Sequence, residues 1–470
     1  MDRELGELLA DAALDGASLR GDGAVRIVGV EYDSRRVTAG SLFCCLRGGS
    51  ADGHAFAETA RAAGAAALLV DHPLAVDLPQ VVVSDTRVAM GHLAAAFHGH
   101  PSRELLLVGV TGTNGKTTTV ALVASVLAAA GMATGVIGTL TGKHTTPESP
   151  DLQALLAGFR DGGRAAVVME VSSHALALHR VVGCHFRLAV FTNLGRDHLD
   201  LHGTVERYFA AKAMLFEPGL SDRGIANVDD RYGRLLVDGA GIPMDGFSGE
   251  QMVDLTVPPT DHEYTWRGRR IRVGIGGAFN AMNSLAAASA CAALGLPVEV
   301  IADGLAAAAS VPGRFEPVHA GQDFDVIVDY AHTPDGLREA LRAARSASAG
   351  GKLLVVFGCG GDRDREKRPE MGAVAATLAD VVVVTSDNPR SEDPLEIINA
   401  VIAGVPGDYR DRVVTQPDRR LAFAMAFQMA AAGDVVVIAG KGHETTQTIG
   451  NEVIPFDDRA VARTLLEAAS

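Results

Sequence analysis

Residues 108–120 read VGVTGTNGKTTTV. The apolar run LLLVGV (105–110) leads into this stretch and the Ala-rich run TTTVALVASVLAAAG (117–131) leaves it, which predicts a strand, a loop and a helix. Gly112 and Gly115 allow tight backbone turns in the loop. Free N–H groups at the helix start favour a phosphate, Lys116 adds a point charge, and Thr117 carries a hydroxyl suited to Mg²⁺. The strict phosphate-loop spacing asks for Gly, four residues, then Gly-Lys-Ser/Thr; here Val110 stands where the first Gly belongs. The pattern misses by one position, yet all its physical parts stand in order. A kinase, a motor, a switch or a ligase could carry such a loop, so the rest of the chain must decide.

Outward from the loop, apolar strand-like runs alternate with Ala-rich helical runs, the pattern of α/β units around a mainly parallel sheet. Nearly every such strand ends in polar or glycine residues. AAVVME leads into VSSH, LAVFT into NLGRDHLD, VIVDY into AHTP, LLVVFG into CGGDRDREKR, VVVVT into SDNPR, and VVVIAG into KGHE. Open α/β sheets bind ligands at the carboxyl ends of their strands, so two sheets with these edges facing would enclose one cleft. Breaks at HPSRE and SVPGRFEPV divide the 470 residues into three expected domains, 1–101, 102–313 and 314–470.

A net charge of −15 argues against a nucleic-acid partner. The five cysteines show no metal-binding spacing and read as buried thiols of a reducing cytoplasm. The acidic, amphipathic start is unlike a signal peptide, and LAFAMAFQMAAAG is too short to cross a bilayer. A soluble cytoplasmic monomer acting on small molecules is expected, with no membrane insertion.

Two further stretches suggest metal or phosphate chemistry. Glu170 ends a strand and is followed by Ser172, His174 and Arg180, while Arg196, Asp197, His198, Asp200 and His202 crowd into seven residues. Taken alone, RDHLD reads equally well as a solvated loop; its place after a strand of the phosphate-loop sheet favours a site. His198 would be an unusual Mg²⁺ ligand, because that ion prefers oxygen. Lys212, in YFAAKAMLF, reads on its residues alone as a helix-surface lysine.

Together these stretches resemble the Mur ligases, ATP-dependent enzymes that add amino acids to the peptidoglycan precursor. The resemblance spans the chain through YDSRRVTAGSLF, GGSADGHAF, TGTNGKTT, MEVSSHALALHR, FTNLGRDHLDLHGT, YFAAKAMLF, GAFNAMNSLAA, PGRFEPV, VDYAHTPDGL, FGCGGDRDREKRPEMG, SDNPRSEDP and AGKGHETTQ. Within the family the chain is most similar to the MurE type, which extends UDP-MurNAc-L-Ala-D-Glu by a third residue. The resemblance implies three α/β domains: one for the UDP end, a central ATPase and a Rossmann-like C-terminal domain. It also implies ATP as co-substrate, two Mg²⁺ ions and an acyl phosphate formed on the D-Glu side chain.

Carried over residue by residue, it assigns ATP to Gly112, Thr113, Asn114, Gly115, Lys116, Thr117, Thr118, Asn280 and Asp329. Thr117, Glu170, His198 and Lys212 (as a carbamate, which supplies oxygen in place of an amine) would hold the metal. Lys116, Lys212, His198 and Arg314 would be catalytic. The UDP precursor would meet Tyr32, Ser34, Gly49, Ser50, Ala51, Thr145, Thr146, Ser172 and Arg180. The incoming amino acid would lie against Arg363, Asp387, Asn388, Pro389, Arg390, Gly440 and Glu444. Arg390 favours meso-diaminopimelate, because a guanidinium grips its distal carboxylate and repels lysine's bare ammonium. Alternatives remain: Arg390 in a loop salt bridge with Glu392 or Asp393, lysine as the amine, folylpolyglutamate synthesis on the same fold, or a regulatory relative that binds nucleotide without chemistry. The segment IGTLTGKHTTPESP is shorter than the family's usual excursion there.

Overall fold

The computed structural model describes residues 2–469 apart from Ser50, Lys143 and Ala349. Three α/β sheets follow one another along the chain. The first comprises β1 (Ser18–Arg20), β2 (Gly29–Glu31), β3 (Ser41–Cys44), β4 (Ala67–Val70) and β5 (Gln80–Val82) in the order β1-β5-β4-β3-β2. Only β1 is antiparallel to its neighbour. SLFC and ALLV are buried along their whole length, as strands covered on both faces must be.

The central sheet comprises β6 (Leu106–Thr111), β7 (Thr134–Ile137), β8 (Ala166–Glu170), β9 (Leu188–Phe191), β10 (Gly224–Asn227) and β11 (Met244–Phe247). Its order is β11-β10-β9-β6-β8-β7, parallel throughout. The chain moves outward on one side of β6 and then returns to its other side, so β6 is the switch point. Glu170 lies opposite Val110 and Phe191 opposite Thr111, so the ends of β6, β8 and β9 are level. That alignment makes the site.

The helix α1 (Lys116–Ala129) is hydrophobic all round because it is covered from several sides. Beneath it lies the sheet, with Val108 and Val110; over it pack α3 (Ala278–Ala293) and α4 (Val298–Ala306). Small residues let these helices approach closely: a Cβ on Gly304 would lie 2.5 Å from Val126 Cα, and Ser125 donates to the Gly304 carbonyl at 2.7 Å. An antiparallel meander, β12 (Val253–Thr256), β13 (His262–Trp266) and β14 (Arg269–Val273), adds Tyr264, Trp266 and Ile271 to this core.

The C-terminal sheet comprises β15 (Glu316–Pro317), β16 (Asp325–Asp329), β17 (Leu353–Phe357), β18 (Val381–Val384), β19 (Val413–Thr415) and β20 (Val435–Ala439). Its order is β15-β16-β20-β17-β18-β19, and only β15 is antiparallel. A ribbon of β21 (Thr446–Ile449) and β22 (Glu452–Pro455) follows. The connection from the central domain is tightly held. Phe315, at φ 50°, is buried edge-on against Phe279, and its N–H donates to Asp329 Oδ2 at 2.7 Å. On the other side, the helix Thr86–Phe97 packs on Ser149–Asp161, and Asp151 joins Tyr32 (2.6 Å) and Arg36 (2.8 Å). All five cysteines are free and buried. Among the described residues no helix is long and apolar enough to cross a membrane.

Candidate active site

The ends of β6, β8 and β9 open into a cleft of about 630 Å³ whose opposite wall is the start of the C-terminal domain. The phosphate loop forms its floor. A Cβ on Gly112 would stand 1.9 Å from Thr192 Oγ1; one on Gly115, at φ 85°, would stand 2.2 Å from Asn283 Oδ1. Neither position has room for a side chain. The loop is braced from β9: the Thr113 N–H donates to the Asn193 carbonyl (2.8 Å), the Asn114 N–H to Asn193 Oδ1 (2.9 Å), and Thr192 Oγ1 to the Asn114 carbonyl (2.6 Å). Lys116 folds over the loop, its Nζ donating to the Gly112 and Thr113 carbonyls, each at 2.8 Å. Burial pushes its pKa down, against the opposing pull of Glu170 and Asp197. Thr118 is buried behind it.

Glu170 is the oxygen-rich corner. Its carboxylate accepts from Thr117 Oγ1 (3.1 Å), the Thr139 N–H (2.8 Å) and Thr139 Oγ1 (3.2 Å). Thr139 in turn meets Thr145 at 3.0 Å, and buried Thr146 donates to the Glu170 carbonyl at 2.9 Å. Thr145 and Ser172 line the cleft. Arg180 donates to the Thr146 carbonyl and pairs with Glu148 at 2.9 Å.

Lys212 is no surface lysine. It projects from α2 (Val205–Ala213) and is only 1% exposed, with Nζ donating to the Gly112 carbonyl at 2.7 Å and lying 4.5 Å over the Tyr208 ring. No carboxylate pairs with it among the described residues, and burial, aided by Lys116, drives its pKa far down. Helix periodicity alone could not reveal this, because the burial comes from the loop 100 residues earlier. His198, at φ 53°, presents its ring edge-on to His174 at 4.7 Å. Burial lowers its pKa to about 4 against the pull of Asp197. For Asp197, burial acts upward, but His198, His332 and Lys367 outweigh it and hold the carboxyl below its ordinary range.

From the facing wall, Arg314 donates through Nη2 to Thr117 Oγ1 at 2.9 Å and lies 4.5 Å over the Tyr330 ring. Asp329 lines the cleft, its carboxylate engaged by the N–H groups of Phe315 and Ala331. Asn280 does not reach the cleft: it is fully buried, donating to the Gly276 carbonyl (2.8 Å) and accepting from Asn283 (3.0 Å). Asn283, one helical turn later, lines the cleft instead. Asn193, Tyr208 and His332 also line it without having been singled out; Asn193 and His332 carried a signal as polar residues just past strand ends, whereas Tyr208 stands within α2 and carried none.

The residues expected around the amino acid form a second cluster on the ends of β17, β18 and β20. Asn388 donates to Glu444 at 2.8 Å and to Asp387 at 3.1 Å, and its Oδ1 accepts the Thr448 N–H at 2.9 Å. Pro389 closes over Gly361, whose Cβ would lie 1.9 Å from the Pro389 carbonyl. Gly440, at φ 113°, leaves space for Asp387 Oδ2, 2.7 Å from where a Cβ would stand. Arg390, at φ 52°, donates to the Gly361 carbonyl at 2.7 Å and flanks Gly360 together with exposed Arg363. Glu392 is taken by Arg368 (2.8 Å) and Arg365 (3.1 Å), and no ion pair holds Arg390 among the described residues. The loop salt bridge to Glu392 considered for Arg390 is therefore absent.

In the N-terminal domain, Tyr32 donates to Asp151, half-buried Ser34 sits two residues on, and Gly49 and Ala51 lie in an exposed turn. Burial, then Asp151, pushes the Tyr32 hydroxyl up. Ser50 lies outside the described residues.

Comparison with known proteins accords with this architecture. Family models match in chain order: "Mur ligase family, catalytic domain" over residues 26–98, "Mur ligase middle domain" over 110–291, and "Mur ligase, glutamate ligase domain" over 313–442. A UDP-N-acetylmuramoyl-L-alanyl-D-glutamate--2,6-diaminopimelate ligase of Geobacillus kaustophilus is 48% identical over 463 residues, covering 93% of this chain and 94% of its own. One of the same name from Streptomyces avermitilis is 46% identical, covering 94% and 92%. A solved structure of such a ligase superposes with a TM-score of 0.70 at 32% identity, over 100% of this chain and 99% of that one. The chain is a three-domain α/β, ATP-dependent ligase and belongs to the Mur ligase family.

Proposed function

We propose that the protein joins meso-2,6-diaminopimelate to UDP-N-acetylmuramoyl-L-alanyl-D-glutamate, at the expense of ATP, in cytoplasmic peptidoglycan precursor synthesis. One observation carries the reading. The phosphate-loop cleft and the Arg390 cluster are neighbours: Tyr330 lines the first, and its ring lies 4.9 Å from His443, one residue before Glu444 of the second. A carboxylate activated in the cleft is thus next door to an amine held by the C-terminal sheet.

The chemistry follows from what each side must do. The D-Glu side-chain carboxylate attacks the γ-phosphorus, the bond to the ADP oxygen breaks, and an acyl phosphate results. The deprotonated amine then attacks the carbonyl carbon and phosphate leaves, forming the amide. Lys116, folded over the phosphate loop, and Arg314, bonded to Thr117, bring two cations to the place where charge spreads over the transferred group. The backbone N–H groups of 115–118, beyond the two that Asn193 ties down, receive the phosphates, and Asp329 meets the nucleotide from the facing wall. Asn280 serves the adenine end through Asn283.

Glu170, Thr117 and Thr139 present oxygen donors and fit Mg²⁺, whereas His198 and the Lys212 amine fit it less well. Lys212 fits once its buried, uncharged amine has taken up CO₂ and released a proton, giving an oxygen ligand. Glu170, Thr117, His198 and carbamylated Lys212 would hold two Mg²⁺ ions, which would supply neutralisation of phosphate charge. Tyr32, Ser34, Gly49, Ser50 and Ala51 would take the UDP end of the precursor; Thr145, Thr146, Ser172 and Arg180 would take its muramyl-peptide portion. Arg390 and Arg363 would grip the distal carboxylate of diaminopimelate, while Asn388, Glu444 and Asp387 meet its ammonium groups.

Purified protein with ATP, Mg²⁺ and the UDP-dipeptide precursor releases phosphate only when diaminopimelate is added. Hydroxylamine added during turnover traps a hydroxamate of the precursor. Equal turnover with L-lysine would overturn the choice of amine, and absence of the hydroxamate would overturn the mechanism.

A further inference from the structure

The N-terminal domain carries a metal-ligand arrangement more than an ordinary hydrogen-bond cluster, and it lies outside the ATP cleft. His54, Asp71 and His72 bring one ligand atom each to within 4.8 Å of one another. Asp71 and His72 follow β4 directly, and His54 is the second residue of the short helix Gly53–Phe56. His54 is 6% exposed in its side chain and its Nδ1 meets Asp52 Oδ1 at 2.6 Å. That contact takes the Nδ1 proton and turns Nε2 inward as a lone pair, which accepts only a long 3.3 Å bond from the Asp71 N–H. The same Nε2 stands 3.2 Å from Asp71 Oδ1, which also meets His72 Nδ1 at 2.5 Å. A nitrogen lone pair this close to a carboxylate oxygen, relieved only by one long N–H bond, leaves a place for a cation, either a proton or a metal ion.

The surrounding groups favour a metal. Arg47 holds both oxygens of Asp71, Oδ2 through Nε at 2.6 Å and Oδ1 through Nη2 at a longer 3.3 Å, so Oδ1 is the less firmly held donor, and these bonds keep the carboxyl ionised. Asp52 on His54 and Arg47 on Asp71 are the outer partners that orient ligating side chains in metal sites. The geometry points to a transition-metal site of Zn²⁺ or Co²⁺ type: His54 Nε2, His72 Nδ1 and Asp71 Oδ1, with water in the fourth position. His72 is half exposed and stacked on the His54 ring at 4.8 Å; to bind, its ring turns so that Nδ1 moves from 2.5 Å out to the about 3.4 Å spacing from Asp71 Oδ1 of a tetrahedral zinc shell and toward His54 Nε2. On binding, the His72 Nδ1 proton leaves to solvent and Nε2 takes one up, so the imidazole remains neutral. Arg47 and Asp52, which are joined by an antiparallel bridge, are the site's outer groups. A bound ion therefore braces the Arg47–Asp52 bridge.

The test uses tag-free full-length protein in saturating Mg²⁺, with Zn²⁺ titrated against a chromophoric chelator and Co²⁺ followed by its visible bands. The unaltered protein binds an equivalent of Zn²⁺ that His72→Ala and Asp71→Asn each lose or weaken at least tenfold. Asp52→Asn, an outer-partner change, weakens it about 10–100-fold. Co²⁺ gives intense tetrahedral bands only with both histidines present. His72 is exposed enough that His72→Ala folds normally, which a thermal melt without metal checks. The same Zn²⁺ stoichiometry and affinity in the unaltered protein and in His72→Ala, or changes below tenfold, would mean that protons alone hold the cluster, and the site would be rejected.

Discussion

The phosphate edge of the central sheet and the Arg390 edge of the C-terminal sheet are built by different means. At the first, backbone does the positioning: Gly112 and Gly115 are pressed against Thr192 and Asn283 with no space for a Cβ, and the loop's N–H groups are tied to Asn193. At the second, side chains do it, through the relay Asp387–Asn388–Glu444–Lys441. Beneath that relay lies a hidden support. Arg419, on the helix Arg419–Met429, pairs with Asp458 through two bonds of 2.9 and 2.6 Å, both side chains being 0% exposed. Its remaining N–H groups reach the carbonyls of Ser386 and Ala439, just before Asp387 and Gly440. A phosphate is the same in every nucleotide and suits a fixed backbone cradle. An amine must be chosen, and exchangeable side chains on a rigid base allow the choice to be tuned.

The largest way to break the contrast is to remove that base. Asp458→Ala leaves the Arg419 guanidinium buried without its partner and destabilises the chain by about 3–5 kcal/mol, read by denaturant unfolding. ATP affinity measured below the unfolding transition changes little, because the phosphate edge belongs to another sheet; a parallel loss of ATP binding would show that the two edges are one unit. Next in size, Lys116→Ala lowers kcat by about 10²–10³-fold, the cost of removing one donor aimed at developing charge. Its unfolding midpoint stays close to that of the unaltered protein, since a buried and desolvated ammonium contributes little to folding. A mutant that unfolds readily but retains kcat would contradict the assignment.

This difference in construction also governs how much the sequence reveals. The phosphate edge is legible because its parts are contiguous: LLLVGV is a strand, Gly-Lys-Thr opens a helix, and Glu170 ends the neighbouring strand. The division into sheets follows equally well from alternating apolar runs. What escapes is anything that depends on distant contacts. Lys212 reads as a surface lysine until the Gly112 carbonyl and the Tyr208 ring are folded over it. Asn280 and Asn283 differ by one helical turn, and only the packing of α3 shows which faces the cleft. The Arg419–Asp458 pair joins residues 39 apart, and neither stands in a motif. Arg390 is intermediate: SDNPR marks it, but whether Glu392 would neutralise it was open until Arg365 and Arg368 claimed that carboxylate.

Arg390 gives the next, smaller effect. Arg390→Ala removes a charge-assisted grip worth about 1.5–3 kcal/mol, so kcat/KM for diaminopimelate falls roughly 10–150-fold while KM for ATP holds steady. Arg390→Lys recovers only part, because an ammonium cannot bind a carboxylate bidentately. An equal loss for both substrates would place Arg390 in the fold rather than in the choice of amine.

The smallest effect probes the seam between the two edges. His443 lies against Tyr330, and burial, then Arg314, Arg459 and Lys441, lowers its pKa to about 4. In the unfolded chain it titrates near 6.5. Above pH 6.5 the ring is neutral in both states and its contribution to stability is intact. As pH falls from 6.5 toward 4 the unfolded chain takes up a proton that the folded one refuses, so stability drops. Discounted for the solvent reaching the ring, the drop is about 1 kcal/mol. Unfolding curves at pH 7 and pH 5 therefore differ less in His443→Gln than in the unaltered protein. Should the two proteins lose stability in parallel, the acid sensitivity lies elsewhere, and the seam is held by its ring contacts without help from the cations around it.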